Sequence, residues 1–258
     1  MRPSRYTAEV AGQRAAAALA AGEGEVCAVF RRSFYLRLPG ERYACVGDAS
    51  LGRGPLNALV SGFELPAIGE KISVSTEGSR LWEAPARGKS AAPDLESLRR
   101  AANGRTPREG LGCLVVGTHN ALCIYAQPAL EALERWLVGN ALGAEVEALV
   151  GLGPGLTPSG DDYLGGMLVA LRCVERDAQA KTFWRWLEPR LAARTSAISA
   201  AHLAAAAAGE AHEALHVCLE KLFTGKNDWP DALAIVDRVG HCSGWDGLAG
   251  AVMVARNA

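Results

Sequence analysis

Residues 151–162 read G-L-G-P-G-L-T-P-S-G-D-D and are followed by an apolar run. Part of this stretch recurs near the C-terminus, because S-G-x-D-x-L-x-G begins at Ser159 and again at Ser243, a separation of 243 − 159 = 84 residues. Each copy starts with a polar, glycine-containing turn and continues into small and apolar residues, as a buried helix does. Such helix starts present free N–H groups and carboxylates. The repeat therefore predicts two helix starts that lie together and place Asp162 near Asp246.

Length and composition exclude several classes of protein. The chain has 258 residues, of which 49% are hydrophobic and 21% charged, and its net charge is -1. This balance is typical of a globular protein and gives no reason to expect a nucleic acid or a membrane as partner. No apolar stretch approaches the roughly 20 residues that span a bilayer. The seven cysteines include no C-x-x-C pair, so we expect free thiols, a reducing compartment and a cytoplasmic location.

The chain changes character near its middle. Short runs bounded by Gly, Pro or Ser predict strands at 26–30, 34–38, 43–46, 71–75 and 80–83, and a further hairpin at 113–116 and 121–125. A leading helix is expected over the basic N-terminus and the alanine run at 15–19. Segments rich in Ala and Leu predict helices at 95–102, 129–138, 163–175, 182–208, 210–223, 230–239 and 247–255. The fold class is therefore α+β, with a β-rich domain at 1–126 and a helical domain at 127–258.

The glycine-rich stretch has the character of an anion site. Glycines let the backbone approach a ligand closely, and free N–H groups at a helix start suit phosphate or carboxylate. Paired acids are also the ligands of a hydrated Mg²⁺ ion, which leaves a metal role open for Asp161, Asp162 and Asp246. However, S-x-x-D is also a capping box, so both copies are alternatively no more than capped core helices. Capping does not explain the glycine series or Asp161.

Four further patterns carry polar groups. Arg194-Thr195-Ser196 with Ser199 and His202 follows the apolar face of a predicted helix, and an arginine beside hydroxyls suits an oxyanion. His212-Glu213-x-x-His216 fits the zinc peptidase motif, but no third ligand follows at the usual spacing, so a solvated helix face is the favoured interpretation. Gly52-x-Gly54-Pro55-x-Asn57 is a tight loop. His241-Cys242 precedes the second repeat, and a catalytic role for the Cys242 thiol lacks an evident base.

The chain resembles the AllH-like family, named for one subunit of the bacterial oxamate carbamoyltransferase. The resemblance is carried by G-L-G-P-G-L-T-P-S-G-D-D, by Arg194-Thr195-Ser196 and by G-H-C-S-G-W-D at 240–246, with a looser fit at Gly52–Asn57. It implies a transferase acting in allantoin and purine degradation, which converts oxalurate and phosphate to oxamate and carbamoyl phosphate or the reverse. It also implies sibling subunits, and the alternative is a non-catalytic ligand-binding subunit that completes a partner's site. A zinc peptidase, suggested by the motif His212-Glu213-x-x-His216 and not by the resemblance, is the third alternative.

The residues suit the small anionic substrates that the resemblance implies, and the following assignment is our hypothesis. Asp162, Asp246 and Arg194 are the predicted catalytic residues, with the two carboxylates orienting a substrate amide or binding Mg²⁺. Phosphate is expected at the glycine-rich loop and Arg194. The predicted substrate- and phosphate-binding residues are Gly153, Gly155, Thr157, Ser159, Gly160, Asp161, Thr195, Ser199, Ser243, Gly244 and Asn57.

Overall fold

A closed sheet forms the first compact unit, which ends at Pro85. The computed structural model describes residues 4–86, 92–225 and 228–258. Seven strands follow the order β5-β4-β3-β2-β6-β1-β7, and β1 also pairs antiparallel with β5, which closes the sheet on itself. The strands are β1 (Ser4–Gly12), β2 (Gly24–Val29), β3 (Ser33–Leu38), β4 (Arg42–Gly47), β5 (Asn57–Val60), β6 (Lys71–Ser75) and β7 (Arg80–Trp82).

Alternating apolar side chains build the core of this unit. In β2, buried residues alternate with half-buried ones, as expected where one face of a strand meets the core. Val26, Phe34, Leu36 and Ile72 are completely buried. Helix α1 (Gln13–Leu19) contributes three more buried apolar side chains to the unit.

The second unit, Ala86–Ala258, is helical. Its helices are α2 (Leu95–Ala102), α3 (Ala121–Leu137), α4 (Ser159–Cys173), α5 (Asp177–Arg194), α6 (Ala197–Ala207), α7 (Glu213–Thr224), α8 (Trp229–Val236) and α9 (Ser243–Ala255). Short 3₁₀ turns occur at Ala49–Leu51 in the first unit and at Gly112–Val116 and Ala144–Leu149 in the second. In the described part of the chain, no helix combines the length and the hydropathy needed to cross a membrane.

Helices α4 and α9, the two copies of the repeat, pack with their backbones in direct contact. A Cβ atom on Gly166 would lie 1.8 Å from the carbonyl oxygen of Gly247, and one on Gly250 would lie 1.9 Å from that of Tyr163. Gly250 is the repeat equivalent of Gly166, and Gly247 is the equivalent of Tyr163. Each contact is therefore the counterpart of the other, which indicates an approximate twofold relation between the helices. Only glycine permits this approach.

The predicted α+β fold class is confirmed, and so are the strands that became β2, β3, β4, β6 and β7. Strands β1 and β5 escaped prediction, and the leading helix is confined to Gln13–Leu19 because residues 5–12 pair in the sheet. The predicted hairpin at 113–125 is wrong. This segment forms a 3₁₀ turn and the start of α3, where the Asn120 side chain accepts a hydrogen bond from the Cys123 N–H as an N-cap.

The predicted helix at 182–208 is two helices. Ser196 ends the continuity because its side chain accepts a hydrogen bond from the Ser199 N–H and caps α6. The compact units divide after Pro85, whereas the predicted domain boundary lay at 126. The helical character of the segment from Leu95 to Leu137 accounts for this difference.

Candidate functional site

The repeated serines do not cap their helices. Ser159 and Ser243 are the first helical residues of α4 and α9, the N-cap positions belong to Pro158 and Cys242, and neither cap makes a side-chain hydrogen bond. Instead, the two helix starts meet, with the Ser243 hydroxyl 3.2 Å from the Thr157 hydroxyl. The capping interpretation is therefore wrong, and the predicted proximity of the two starts is confirmed.

Asp161 holds the helix start to its surroundings. Its Oδ1 accepts a 2.8 Å hydrogen bond from the Gly151 N–H, and its Oδ2 accepts from the hydroxyls of Thr195 and Ser199, the latter at 2.6 Å. The side chain is 1% exposed. Because both oxygens accept hydrogen bonds from protein donors, Asp161 positions the loop and the α5–α6 junction, and its predicted ligand and metal roles remain predictions that these contacts do not support.

Asp162 presents a buried oxygen without a partner. The residue keeps partial exposure, but its Oδ2 atom is buried and accepts no hydrogen bond from the described residues. Burial raises the pKa of the carboxyl well above its ordinary value, against the opposing effect of the Ser243 hydroxyl. The negative charge of Asp246 raises this pKa further. A buried carboxyl group of this kind is unusual outside functional sites.

Asp246 has the same arrangement on the other helix. It is 1% exposed, its Oδ1 accepts a 2.6 Å hydrogen bond from the Leu111 N–H, and its buried Oδ2 has no partner among the described residues. Burial raises its pKa to about 6, and the Ser159 hydroxyl opposes the shift. Each aspartate thus faces the serine of the other copy, so the twofold relation of the helices extends to their polar groups.

The glycine-rich loop borders these carboxyl groups. Gly153 and Gly155 have positive φ values of 111° and 93°, which only glycine adopts freely. The Ser196 hydroxyl donates a 2.5 Å hydrogen bond to the Leu156 carbonyl and fixes the loop. Within the described residues, no hydrogen bond uses the backbone N–H groups of Gly153, Gly155 or Thr157. These groups remain available to an anion.

Two predicted ligand residues have a packing role. A Cβ atom on Gly160 would lie 2.0 Å from the Leu149 carbonyl oxygen, and one on Gly244 would lie 2.5 Å from that of Val236. Both glycines are thus required by close backbone contacts at the helix starts.

Arg194 and Asn57 have local partners. The Arg194 guanidinium forms a 2.7 Å ion pair with Glu147. The Asn57 side chain, in the β-rich unit, donates a 3.0 Å hydrogen bond to the Gly52 carbonyl. The predicted phosphate role of Arg194 and substrate role of Asn57 therefore remain predictions.

Sequence reasoning missed the segment 108–111, which covers the start of α9. Gly110 has a φ of 73°, and a Cβ atom there would lie 2.6 Å from Asp246 Oδ1. The Asn120 amide donates hydrogen bonds to the carbonyls of Arg108 and Gly110 and holds this segment. The Leu111 N–H donates a hydrogen bond to Asp246, which lies 135 residues further along the chain. No local sequence pattern predicts this contact.

His241 and Cys242 have Glu109 as a neighbour. The His241 Nε2 atom lies 2.8 Å from Glu109 Oε2, and both side chains are well exposed. Burial raises the pKa of the Cys242 thiol to about 11, and the charges of Asp246, Glu109 and Asp162 raise it in the same direction. Without a bound cation the thiol is thus protonated at neutral pH, which argues against a free nucleophile.

The zinc peptidase motif does not form a zinc peptidase site. His212 is the N-cap of α7 and its Nδ1 atom accepts a hydrogen bond from the Ala214 N–H. The Nε2 atom of His216 accepts from the Ala211 N–H. Because each ring uses a lone pair on the backbone and His212 lies outside the helical turn, the pair lacks the geometry that the motif requires.

The carboxyl groups of Asp162 and Asp246 also fit the predicted metal. Mg²⁺ prefers carboxylate oxygens and retains several waters, and the unpartnered Oδ2 atoms supply oxygens of this kind. Mg²⁺ remains a prediction for these two residues.

The fold and the site together define an α+β protein whose helical unit joins two buried carboxyl groups at paired helix starts. Residues 149–255, somewhat less than half of the chain, match the family model described as oxamate carbamoyltransferase subunit AllH. The predicted resemblance is confirmed over this segment, which contains both copies of the repeat. No curated protein and no solved structure matches the chain.

Proposed function

We propose that the chain is a carbamoyltransferase subunit that binds its substrate between Asp162 and Asp246. The reaction is the phosphorolysis of oxalurate to oxamate and carbamoyl phosphate, or its reverse. The observation that carries the proposal is the pair of buried Oδ2 atoms that have no hydrogen-bond partner in the described part of the chain. An unsatisfied buried acceptor costs about 1–3 kcal/mol, and a ligand that donates two N–H groups recovers this cost.

The substrate chemistry matches these acceptors. Oxalurate and oxamate carry amide N–H donors at one end and a carboxylate at the other. The amide end suits the two Oδ2 atoms, and the anionic end suits the free N–H groups of the loop at 153–157. Binding the two ends in different places keeps the anionic groups away from the carboxylates.

The carboxyl groups also suit the proton transfer that the reaction requires. A phosphate oxygen attacks the carbamoyl carbon, the bond from this carbon to the oxamate nitrogen breaks, and the nitrogen takes up a proton. Burial raises the pKa of Asp162 well above its ordinary value and so favours the protonated carboxyl, and we assign Asp162 as the donor of this proton. Asp246, with a pKa of about 6, is ionised near neutral pH and accepts the proton that phosphate loses. Two carboxyl groups with pKa values pushed apart are suited to these complementary roles.

Sibling subunits complete the enzyme in this proposal. The family description names a subunit, and the described site contains no free arginine beside the carboxyl groups. We therefore expect the partner subunits to contribute cationic groups for phosphate, in a cytoplasmic complex. If the chain is instead a non-catalytic ligand-binding subunit, the purified chain binds oxamate without its sibling subunits. Replacing Asp162 or Asp246 with asparagine then leaves turnover by the complex unchanged.

The test is turnover by the complex reconstituted from purified subunits. Carbamoyl phosphate formed from oxalurate and phosphate is measured with Asp162→Asn and Asp246→Asn. Loss of a general acid or base costs about 10²–10⁴-fold, so we expect each variant to lose at least about 100-fold. Asp231→Asn is the matched control, because Asp231 is an exposed aspartate in the first turn of α8. Equal activity of all three variants would contradict the proposed function.

A further inference from the structure

Among the described residues, one cluster brings together side chains of the kind that bind transition metals. Glu109, His241 and Cys242 each offer one ligand atom, and these atoms lie within 4.8 Å of one another. The cluster combines a carboxylate oxygen, an imidazole nitrogen and a sulfur, which is a donor set suited to zinc and unsuited to Mg²⁺ or Ca²⁺. None of the three serves in the reaction proposed above.

The geometry is close to that of a zinc site. With bonds of about 2.0–2.3 Å, the ligand atoms of a tetrahedral zinc ion lie about 3.3–3.8 Å apart. The ligand atoms here lie within 4.8 Å of one another, at most about 1 Å beyond this range, and the exposed side chains of Glu109 and His241 can rotate to close the difference. A simple surface ion pair explains the 2.8 Å contact of His241 with Glu109 but not the neighbouring thiol.

The backbone that carries the ligands is fixed on both sides. The segment carrying Glu109 is held to α9 by the hydrogen bond from the Leu111 N–H to Asp246. His241 and Cys242 directly precede α9, and a Cβ atom on Gly110 would lie 3.0 Å from the Cys242 Cβ. The two ligand-bearing segments are therefore in contact before any metal binds. Preorganisation of this kind reduces the entropic cost of binding.

We propose that Glu109, His241 and Cys242 form a zinc site with three protein ligands and one open position. Sites with three protein ligands keep a position for water or substrate, whereas structural zinc sites have four. The cluster lies close to the buried carboxyl group of Asp246, because a Cβ atom on Gly110 would lie 2.6 Å from Asp246 Oδ1 and 3.0 Å from the Cys242 Cβ. The metal site stands apart from the proposed transferase activity, because its formation requires only the three ligands.

The test is metal binding by the purified full chain after removal of bound metal. Co²⁺ serves as an optical probe, since a thiolate ligand gives a charge-transfer absorption, and Zn²⁺ affinity is measured by competition with a chromophoric chelator. We expect one equivalent of metal and a thiolate–cobalt band that is absent in Cys242→Ser. Loss of a residue that only hydrogen-bonds to a metal ligand lowers metal affinity about 10–100-fold. Loss of a ligand itself should cost at least as much, so Glu109→Gln and His241→Gln should each weaken Zn²⁺ binding at least tenfold.

Matched controls separate the cluster from adventitious binding. His119 is an exposed histidine and Cys173 a half-buried cysteine elsewhere in the helical unit. His119→Gln and Cys173→Ser should retain the wild-type affinity and spectrum. The proposal is overturned if the wild-type chain gives no thiolate–cobalt band, or if Cys242→Ser binds Zn²⁺ as tightly as the controls. Carboxylate and imidazole variants test the site independently should Cys242→Ser fail to fold.

Discussion

Replacing Gly166 with alanine tests the direct backbone contact of α4 with α9. The new Cβ atom would lie 1.8 Å from the Gly247 carbonyl oxygen, whereas real Cβ contacts stay beyond about 3.0 Å. The helices must therefore separate locally by at least about 1.2 Å. No side chain can rotate to relieve this overlap, because the opposing atom belongs to the main chain.

The magnitude follows from two opposing effects. Overpacking a core costs about 1–3 kcal/mol. The cost of an overlap with a backbone atom lies at or above the upper end of this range, because the backbone cannot move aside as a side chain does. Alanine in a helix interior gains about 1 kcal/mol over glycine. We expect Gly166→Ala to lower the free energy of unfolding by about 2 kcal/mol or more.

The neighbouring glycine provides the control. A Cβ atom on Gly165 would have its nearest neighbours, on Leu203 and Ala206, at 3.7 Å, an ordinary contact. Gly165→Ala should therefore leave stability unchanged or raise it by up to about 1 kcal/mol. Urea unfolding followed by far-UV circular dichroism measures both variants. If the two differ by less than about 0.5 kcal/mol, the helices do not pack through their backbones as described.

Two further predictions concern the buried carboxyl groups. Asp161→Ala leaves the Gly151 N–H and the hydroxyls of Thr195 and Ser199 without their acceptor, so we expect urea unfolding to show that the free energy of unfolding falls by at least about 3 kcal/mol. Ser199→Ala removes one of the three hydrogen bonds and should lower the free energy of unfolding by about 1 kcal/mol. Equal losses in the two variants would contradict the hydrogen-bond network. For Asp246, the pKa of 3.8 in the unfolded chain rises to about 6 on folding, so the unfolded chain releases its proton first as pH rises. This group therefore lowers stability between about pH 4 and 6, by up to roughly 3 kcal/mol, and adds no slope above. Thermal unfolding of the metal-free chain from pH 4 to 7 should show a smaller slope for Asp246→Asn, and an unchanged slope would count against the buried carboxyl.

The repeat made the centre of the helical unit predictable. Identical spacing of Ser, Gly and Asp in two segments predicted two helix starts, and the structure brings Ser243 next to Thr157. The same residues misled on detail. A capping box and a ligand site share S-x-x-D, and only the position of the serine inside the helix decides between them.

Contacts distant in sequence account for what remained hidden. Asp161 appeared to be a ligand because its partners, Thr195 and Ser199, lie more than 30 residues away and were assigned to one continuous helix. The segment at 108–111 carries no periodic pattern, yet its N–H group satisfies Asp246. Local propensity does not report which turn lies over which helix end.

The glycine contacts between α4 and α9 have a consequence for substrate range. No side chain separates these helices at Gly166 and Gly250, so peptide geometry sets the gap between the carboxyl groups of Asp162 and Asp246. Substitutions in the surrounding core change volume without changing this gap. If the proposed function is correct, a longer or shorter substrate is therefore accommodated by rebuilding the loop at 152–158 or the segment at 108–111. Divergence in specificity among proteins with this repeat should accordingly be found in those two segments, while the helices between them keep their glycines.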